Sequence, residues 1–287
     1  MLAYTRRVLR HLPYLLKSTF LSSFDDGLYT IAKGAAYSSI LSFFPVLTSA
    51  ATIFVQTKTE FVAKAISHFL SQVVPPGSEI EVTRAFKAAG QRSNALLVIA
   101  SLVSIWAASS VIKSLMQGFN AAYRVPRSRS FWKETGLAVG MVFMAAVPLV
   151  GASALLLLGK QVDALVLGWM RVDPSLNPLS GIWEFISQAI RYAISLSAVI
   201  TITGTMYYFG PYRGQRWKTV WPGAFLATLL WFGVTLGFGW YVRHMAHYNV
   251  MYGSLGTGIA LLVWMYIVAL VAMLGCEFNA ECERLVG

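Results

Sequence analysis

Glu184, Gln188, Arg191 and Ser195 recur at i, i+4, i+7 and i+11, the spacing of one face of an α-helix. The run around them is otherwise apolar and long enough to cross a bilayer. An ionised group at bilayer depth is expensive and marks a functional site by default. A guanidinium there suits a planar anion such as phosphate, which it can grip with two parallel hydrogen bonds. This face therefore reads as a polar pathway or a lipid head-group site. The plainer alternative pairs Arg191 with Glu184, or lets its long stem carry the charge out to the interface.

A second polar stripe, Ser110, Lys113, Gln117 and Asn120, ends another apolar run. Lys113 would attract phosphate at a pocket mouth, or simply snorkel near a helix end. Lys33 opens an apolar run in the same way. Glu277 closes the last run, where a carboxylate should pair with a base, cap a neighbouring helix or carry a proton. His244 and His247 are three apart, which is a weak metal signal without a third ligand. Pro45 and Pro148 fall within apolar runs, remove backbone hydrogen bonds and are candidate kink positions of the kind that surround transporter sites. Gly136-x-x-x-Gly140 and Gly233-x-x-x-Gly237 would allow close helix packing, equally within the chain or between two copies of it. Cys276 and Cys282 have neither CxxC spacing nor a disulfide framework. The chain has no GxxxxGK[ST], GxSxG or HExxH motif, so no P-loop, hydrolase or metalloprotease site is expected. No cofactor and no metal are expected.

These residues need elements to hold them, and composition says which kind. Of 287 residues 56% are hydrophobic and only 12% charged, against about 25% charged in ordinary soluble domains. Mean hydropathy is +0.60. A soluble fold could not hide so much apolar surface, and a disordered chain would be polar. The expected fold is all-α: a polytopic membrane protein, a six-helix transmembrane bundle with an N-terminal amphipathic interfacial helix. The expected spans are about 30–56, 94–118, 136–159, 182–209, 219–242 and 253–276. No alternation suggests a β-barrel.

Charge sets the expected orientation. Lys and Arg number 23 against 12 Asp and Glu, a net charge of +11. Segments 1–29, 119–135 and 210–219, with Arg284, hold 12 of the basic residues, and the alternate loops hold 8. Short basic loops stay in the cytoplasm, so both termini are expected there. The first 24 residues place Leu9, Leu12, Leu16 and Phe20 on one stripe, with Arg6, Arg10 and Lys17 elsewhere. That pattern reads as a helix lying on the inner leaflet. It is not a cleaved signal peptide, because no apolar core precedes a small-residue cleavage site. Segment 57–93 reads as two short amphipathic helices broken at Pro75-Pro76-Gly77. The domain reading is a cytoplasmic helix over 1–29 followed by one membrane domain over 30–287.

The stretch Trp221-Pro222-Gly223-Ala224-Phe225, then Leu230-Trp231, Tyr241-Val242 and Tyr248-Asn249-Val250-Met251-Tyr252-Gly253-Ser254-Leu255, resembles the YihY/BrkB family of bacterial inner-membrane proteins. The likeness continues through Leu262-Val263-Trp264-Met265-Tyr266 to Gly275-Cys276-Glu277-Phe278-Asn279. Gly34-Ala35-Ala36-Tyr37, Ser42-Phe43-Phe44-Pro45 and Phe119-Asn120-Ala121-Ala122-Tyr123 fit it too. Cys276 stands where the family more usually has Ala. The resemblance implies six spans with both ends cytoplasmic, in the bacterial plasma membrane. It also implies suggested roles in serum resistance and in lipid export. An older description of members as a tRNA-processing ribonuclease we regard as a misassignment, and no catalytic residues carry over.

Three functions are weighed on this basis. A lipid transporter or facilitator without its own ATPase has Arg191 and its stripe, the prolines and the basic inner helix in support, with Glu277 or Glu184 as proton carriers. A non-catalytic scaffold for envelope assembly would dock partners on 57–93 and on the tail. A nuclease is the weakest, since Glu277, Glu281 and Glu283 have no His beside them. The expected partners are membrane lipids, with envelope proteins and a second copy of the chain as further candidates. Nucleic acid is not expected.

Overall fold

The computed structural model describes residues 8, 10–56, 94–126, 129–157, 180–244 and 254–286. Segment 57–93 and residue 247 lie outside these residues, as do the side chains of Glu184 and His244. Seven helices follow one another, with no strand among the described residues: α1 Leu12–Asp25, α2 Leu28–Gln56, α3 Asn94–Ala122, α4 Phe131–Leu157, α5 Ser180–Phe209, α6 Trp221–His244 and α7 Ser254–Val286. Four of them, α4, α5, α6 and α7, contain stretches long and apolar enough to cross a membrane. The protein is a helical membrane protein. α2 and α3 are 29 residues each, more than the roughly 20 a crossing needs.

Local chemistry sets the helix ends. α1 begins with Pro13 in its first turn, where the missing N–H costs nothing. The turn into α2 passes through Gly27 at φ +70°, a left-handed position that glycine takes without strain. α3 stops at a left-handed Arg124, φ +53°, and the Val125 N–H folds back to the Asn120 carbonyl at 2.9 Å. At the end of α5 the Arg129 guanidinium donates to the carbonyls of Phe209, Gly210 and Pro211 at 3.2–3.3 Å. Those acceptors have no partner within the helix.

α7 is the axle. It packs against α1, α2, α3 and α6, while α4 bridges α3 to α5, and α5 also touches α6. Tyr207, Phe119, Met273, Cys276 and Val220 form the centre of the core. The α6–α7 crossing is close enough to demand glycine. A Cβ on Gly223 would run into the Gly275 carbonyl, and one on Gly275 would lie 2.5 Å from the Tyr207 hydroxyl and 2.6 Å from Ala227 Cβ.

Among the described residues nothing packs against the two GxxxG pairs: Gly136, Gly140, Gly233 and Gly237 have open space where a Cβ would stand, whereas Gly118, Gly210, Gly223 and Gly275 are closely approached. The two prolines lie inside uninterrupted helices, Pro45 in α2 and Pro148 in α4. Next to Pro45, Ser104 of α3 donates to the Pro45 carbonyl at 2.6 Å and lies 2.7 Å from Ser49 Oγ. Ser38 and Ser114 meet at 3.2 Å two turns away. Polar cross-links of this kind tie α2 to α3.

Candidate functional site

Two polar regions emerge, at opposite ends of the helices. The first is built around the last three turns of α7, where Gly275 to Cys282 are buried without a break. One face of this stretch carries Glu277, Glu281 and Arg284. The Arg284 guanidinium binds Glu277 Oε1 at 3.1 Å, contacts Glu281 Oε1 closely, and donates to the Ala122 carbonyl at 2.7 Å. Asp26 lies 3.9 Å from it and takes the Arg124 Nε at 2.9 Å. From α1, the Ser18 and Ser22 hydroxyls donate to Glu281 at 2.6 and 2.9 Å. The Asp26 carboxylate strengthens the charged form of Arg124 and raises its pKa.

A second face of α7 holds α6. Asn279 accepts the Gly223 N–H at 2.7 Å and donates to the Val220 carbonyl at 2.9 Å. It therefore caps an N-terminus whose donors are otherwise orphaned. A third face meets α3 and the 210–220 loop. Arg213 lies over the Tyr123 ring at 4.7 Å and pairs with Glu283 at 2.7 Å. Burial pushes the Tyr123 phenol well above its ordinary range, so it stays neutral.

Glu277 is fully enclosed, and it is paired with a base as a carboxylate at that depth requires. That base is seven residues ahead on the same helix. Its second oxygen, Oε2, has no hydrogen-bond partner among the described residues. Asn120 is buried, and its side-chain oxygen accepts the Tyr212 N–H at 2.6 Å. It is a cap for the loop after α5. Lys113 sits with its ammonium 5.4 Å from the Phe131 ring centroid, at the first residue of α4. Gln117, one turn on, is exposed. Lys33 is also exposed.

The second region is the far half of α5. From Gln188 to Thr203 no residue is fully buried. Ser187 is buried, Arg191 and Ser195 are half-buried, and Gln188 is exposed. The face turned inward thus runs Ser187, Arg191, Ser195, with Gln188 beside it rather than on it. Among the described residues the Ser195 hydroxyl is buried without a hydrogen-bond partner, as is that of Thr235 in α6. α5 and α6 run antiparallel from the contact of Gly204 with Trp221 and Ala224 at 3.8 Å. At 1.5 Å per residue, Thr235 lies within about a turn of the level of Ser195. Arg191 is eighteen residues before Phe209, about 27 Å along the axis. That is close to the full depth of a hydrocarbon core of about 30 Å. Between α4 and α5 a small, half-open cleft is lined by Met141, Met144, Ala145, Ile202, Thr205 and Met206.

Sequence reasoning missed Asp26, Ser18, Ser22 and Arg129. The spacing Glu277, Glu281, Arg284 at i, i+4 and i+7 was the available signal that the tail is a buried polar face. Among the described residues no group of three His, Cys, Asp or Glu side chains is arranged to hold a metal ion.

The model of the family described as "Virulence factor BrkB" matches residues 20–286. The chain belongs to the BrkB family. Among its relatives the ribonuclease-like protein YfkH of Bacillus subtilis is 27% identical over 270 residues, covering 89% of this chain and 92% of that one. A UPF0761 membrane protein of Tolumonas auensis is 28% identical over 262 residues, covering 89% and 80%. Another, of Pseudoalteromonas translucida, is 27% identical over 259 residues, covering 89% and 81%. No solved structure matches significantly. The BrkB match takes in both polar regions, the α7 knot and the Arg191 face.

Proposed function

We propose that this BrkB-family protein moves or helps to move a phosphate-bearing envelope lipid across the bacterial plasma membrane, without an ATPase of its own. The observation that carries the reading is the inward face Ser187, Arg191, Ser195 leading into a stretch of α5, Gln188 to Thr203, in which no residue is fully buried. Arg191 stands near one boundary of the hydrocarbon core, at head-group level. A guanidinium flanked by two hydroxyls one turn away on either side can hold a phosphate monoanion. The α4–α5 cleft holds no more than about one water-sized space, far below the roughly 300–1,000 Å³ of ordinary ligand sites. A head group would therefore travel along the α5 surface, its acyl chains remaining in the bilayer.

The same reading takes six crossings, α2 to α7, with both termini cytoplasmic. Its support is the basic end of the bundle. Arg124, Arg129, Arg213, Arg216 and Lys218 gather where α3 and α5 end and α4 and α6 begin, as the positive-inside rule requires of a cytoplasmic face. A nuclease reading has less support. Glu281 is committed to Arg284 and to two serines, and Glu277 is enclosed with one oxygen paired to Arg284. The alternative of a non-catalytic scaffold predicts an inert protein in a pure bilayer.

The test is translocation of a fluorescent phospholipid in proteoliposomes. Native protein should accelerate it and Arg191→Ala should fall to the rate of empty vesicles. Native protein that moves neither anionic nor zwitterionic lipid would overturn the proposal.

A further inference from the structure

α1 is turned the wrong way round for water. Its inward face is rich in hydroxyls: Thr19 and Ser23 are buried beside Leu15, and Ser18 and Ser22 reach Glu281. Its outward face is aromatic and aliphatic. Tyr14, Phe20, Leu21 and Phe24 are 60%, 54%, 53% and 55% exposed. The rings form a fixed strip: Phe20 meets Phe24 edge-on at 5.1 Å, and Phe24 stacks on Tyr29 at 4.3 Å. Contiguous apolar surface of this kind is unfavourable in water and marks a contact. The surrounding charge shows what it contacts. Arg10, Lys17 and Lys33 are exposed around α1, with only Asp25 exposed against them. α1 also sits at the same end of the bundle as the exposed Phe131, Trp132 and Trp217, residue types that settle at the head-group level of a bilayer.

We propose that the outward face of α1, Tyr14, Phe20, Leu21 and Phe24, lies in the head-group and acyl boundary of the adjacent leaflet, with anionic phospholipid as its partner through Arg10, Lys17 and Lys33. Sequence alone put Leu9, Leu12, Leu16 and Phe20 on the lipid side. The structure rotates that face, because Leu12 and Leu15 pack with Phe278 and Cys282 of α7. The helix is thus held from both sides, by lipid outside and by the Ser18–Glu281–Ser22 clip inside. The inference goes beyond lipid movement and stands whether or not Arg191 binds a head group.

The experiment uses the full chain in vesicles of phosphatidylcholine with and without phosphatidylglycerol. A nitroxide is attached at Phe20→Cys and, separately, at Phe24→Cys. Cys276 and Cys282 are both buried, and the labelled native chain serves as the blank. Collision with molecular oxygen and with a water-soluble nickel chelate reads the depth. Both positions are expected to favour oxygen, at about 5–10 Å below the head groups, and to sit deeper when phosphatidylglycerol is present. Dominant collision with the chelate at both positions would overturn the proposal, as would exclusion of both reagents, which would mean that a second copy or another protein covers the face. Equal depth in the two lipid mixtures would overturn the assignment to anionic lipid.

Discussion

Eight consecutive residues of α7, Gly275 to Cys282, are buried, whereas sixteen of α5, Gln188 to Thr203, include none that is. Both stretches carry charge in a membrane protein, yet they handle it in opposite ways. In α7 the charge is enclosed by the ends of α1 and α3 and by the start of α6, and its partners are fixed side chains and a backbone carbonyl. Such a knot specifies which helix ends meet. In α5 the charge is half-buried on a stretch in which no residue is fully buried, one turn from a Ser195 hydroxyl that has no hydrogen-bond partner among the described residues. Buried polar groups in protein are ordinarily paired. The contrast separates charge enclosed among helix ends from charge on an open helix face.

The strongest way to break this division is at Arg284. Arg284→Met would leave Glu277 enclosed and unpaired, at a cost of about 3–5 kcal/mol, read as a fall in thermal stability in detergent. Adding Glu277→Gln to that variant should recover the part of the loss that belongs to the Glu277–Arg284 pair, while the Glu281 and Ala122 contacts stay lost. Simple addition of the two losses would show that the pair does not act as a unit. Gly275→Val comes next. Its side chain meets Tyr207, Ala227 and the Gly223 backbone, so overpacking of about 1–3 kcal/mol is expected. Gly233→Ala and Gly237→Ala meet nothing and should be neutral or slightly stabilising, by up to about 1 kcal/mol. Equal damage at the two kinds of site would erase the distinction between crowded and open helices. Asn279→Ala removes two bonds to the start of α6 and should cost roughly 1–3 kcal/mol. Amide exchange at the first turn of α6 would report it, rising there before it rises elsewhere. The smallest effect belongs to Arg124→Gln. Its ion pair with Asp26 is 57% exposed on the arginine side, so a loss under about 1 kcal/mol is expected, shrinking further in salt.

The helical class was legible because apolar runs of span length leave few other folds. The ends of elements were less so. The apolar run behind α7 stops near Cys276, but the helix continues to Val286, because Glu277, Glu281 and Arg284 find partners on other elements. Hydropathy sees the charges and not the partners. The need for a base beside Glu277 was readable from the cost of a buried carboxylate. That the base would be Arg284, with Asp26 and two serines around it, depends on a turn 250 residues away in sequence. The GxxxG pairs were open between packing inside the chain and packing between copies for a related reason. The motif reports that a helix can be approached closely, and only the packing decides that Gly223 and Gly275 are approached while Gly136 and Gly233 are not. For Arg191 the helical spacing was readable, but not the sideways placement of Gln188, which follows from how α5 rolls against α4 and α6.

The central claim is that Arg191 works and Arg284 holds. The direct measurement is lipid translocation by Arg191→Ala and Arg124→Gln beside the native chain, at matched amounts of folded protein, with the melting temperature of each taken on the same sample. The account predicts that Arg191→Ala melts within a few degrees of native protein and moves no lipid, while Arg124→Gln moves lipid at the native rate. An Arg191→Ala variant that transports as well as the native chain, or that loses transport only in proportion to lost folded protein, would contradict it.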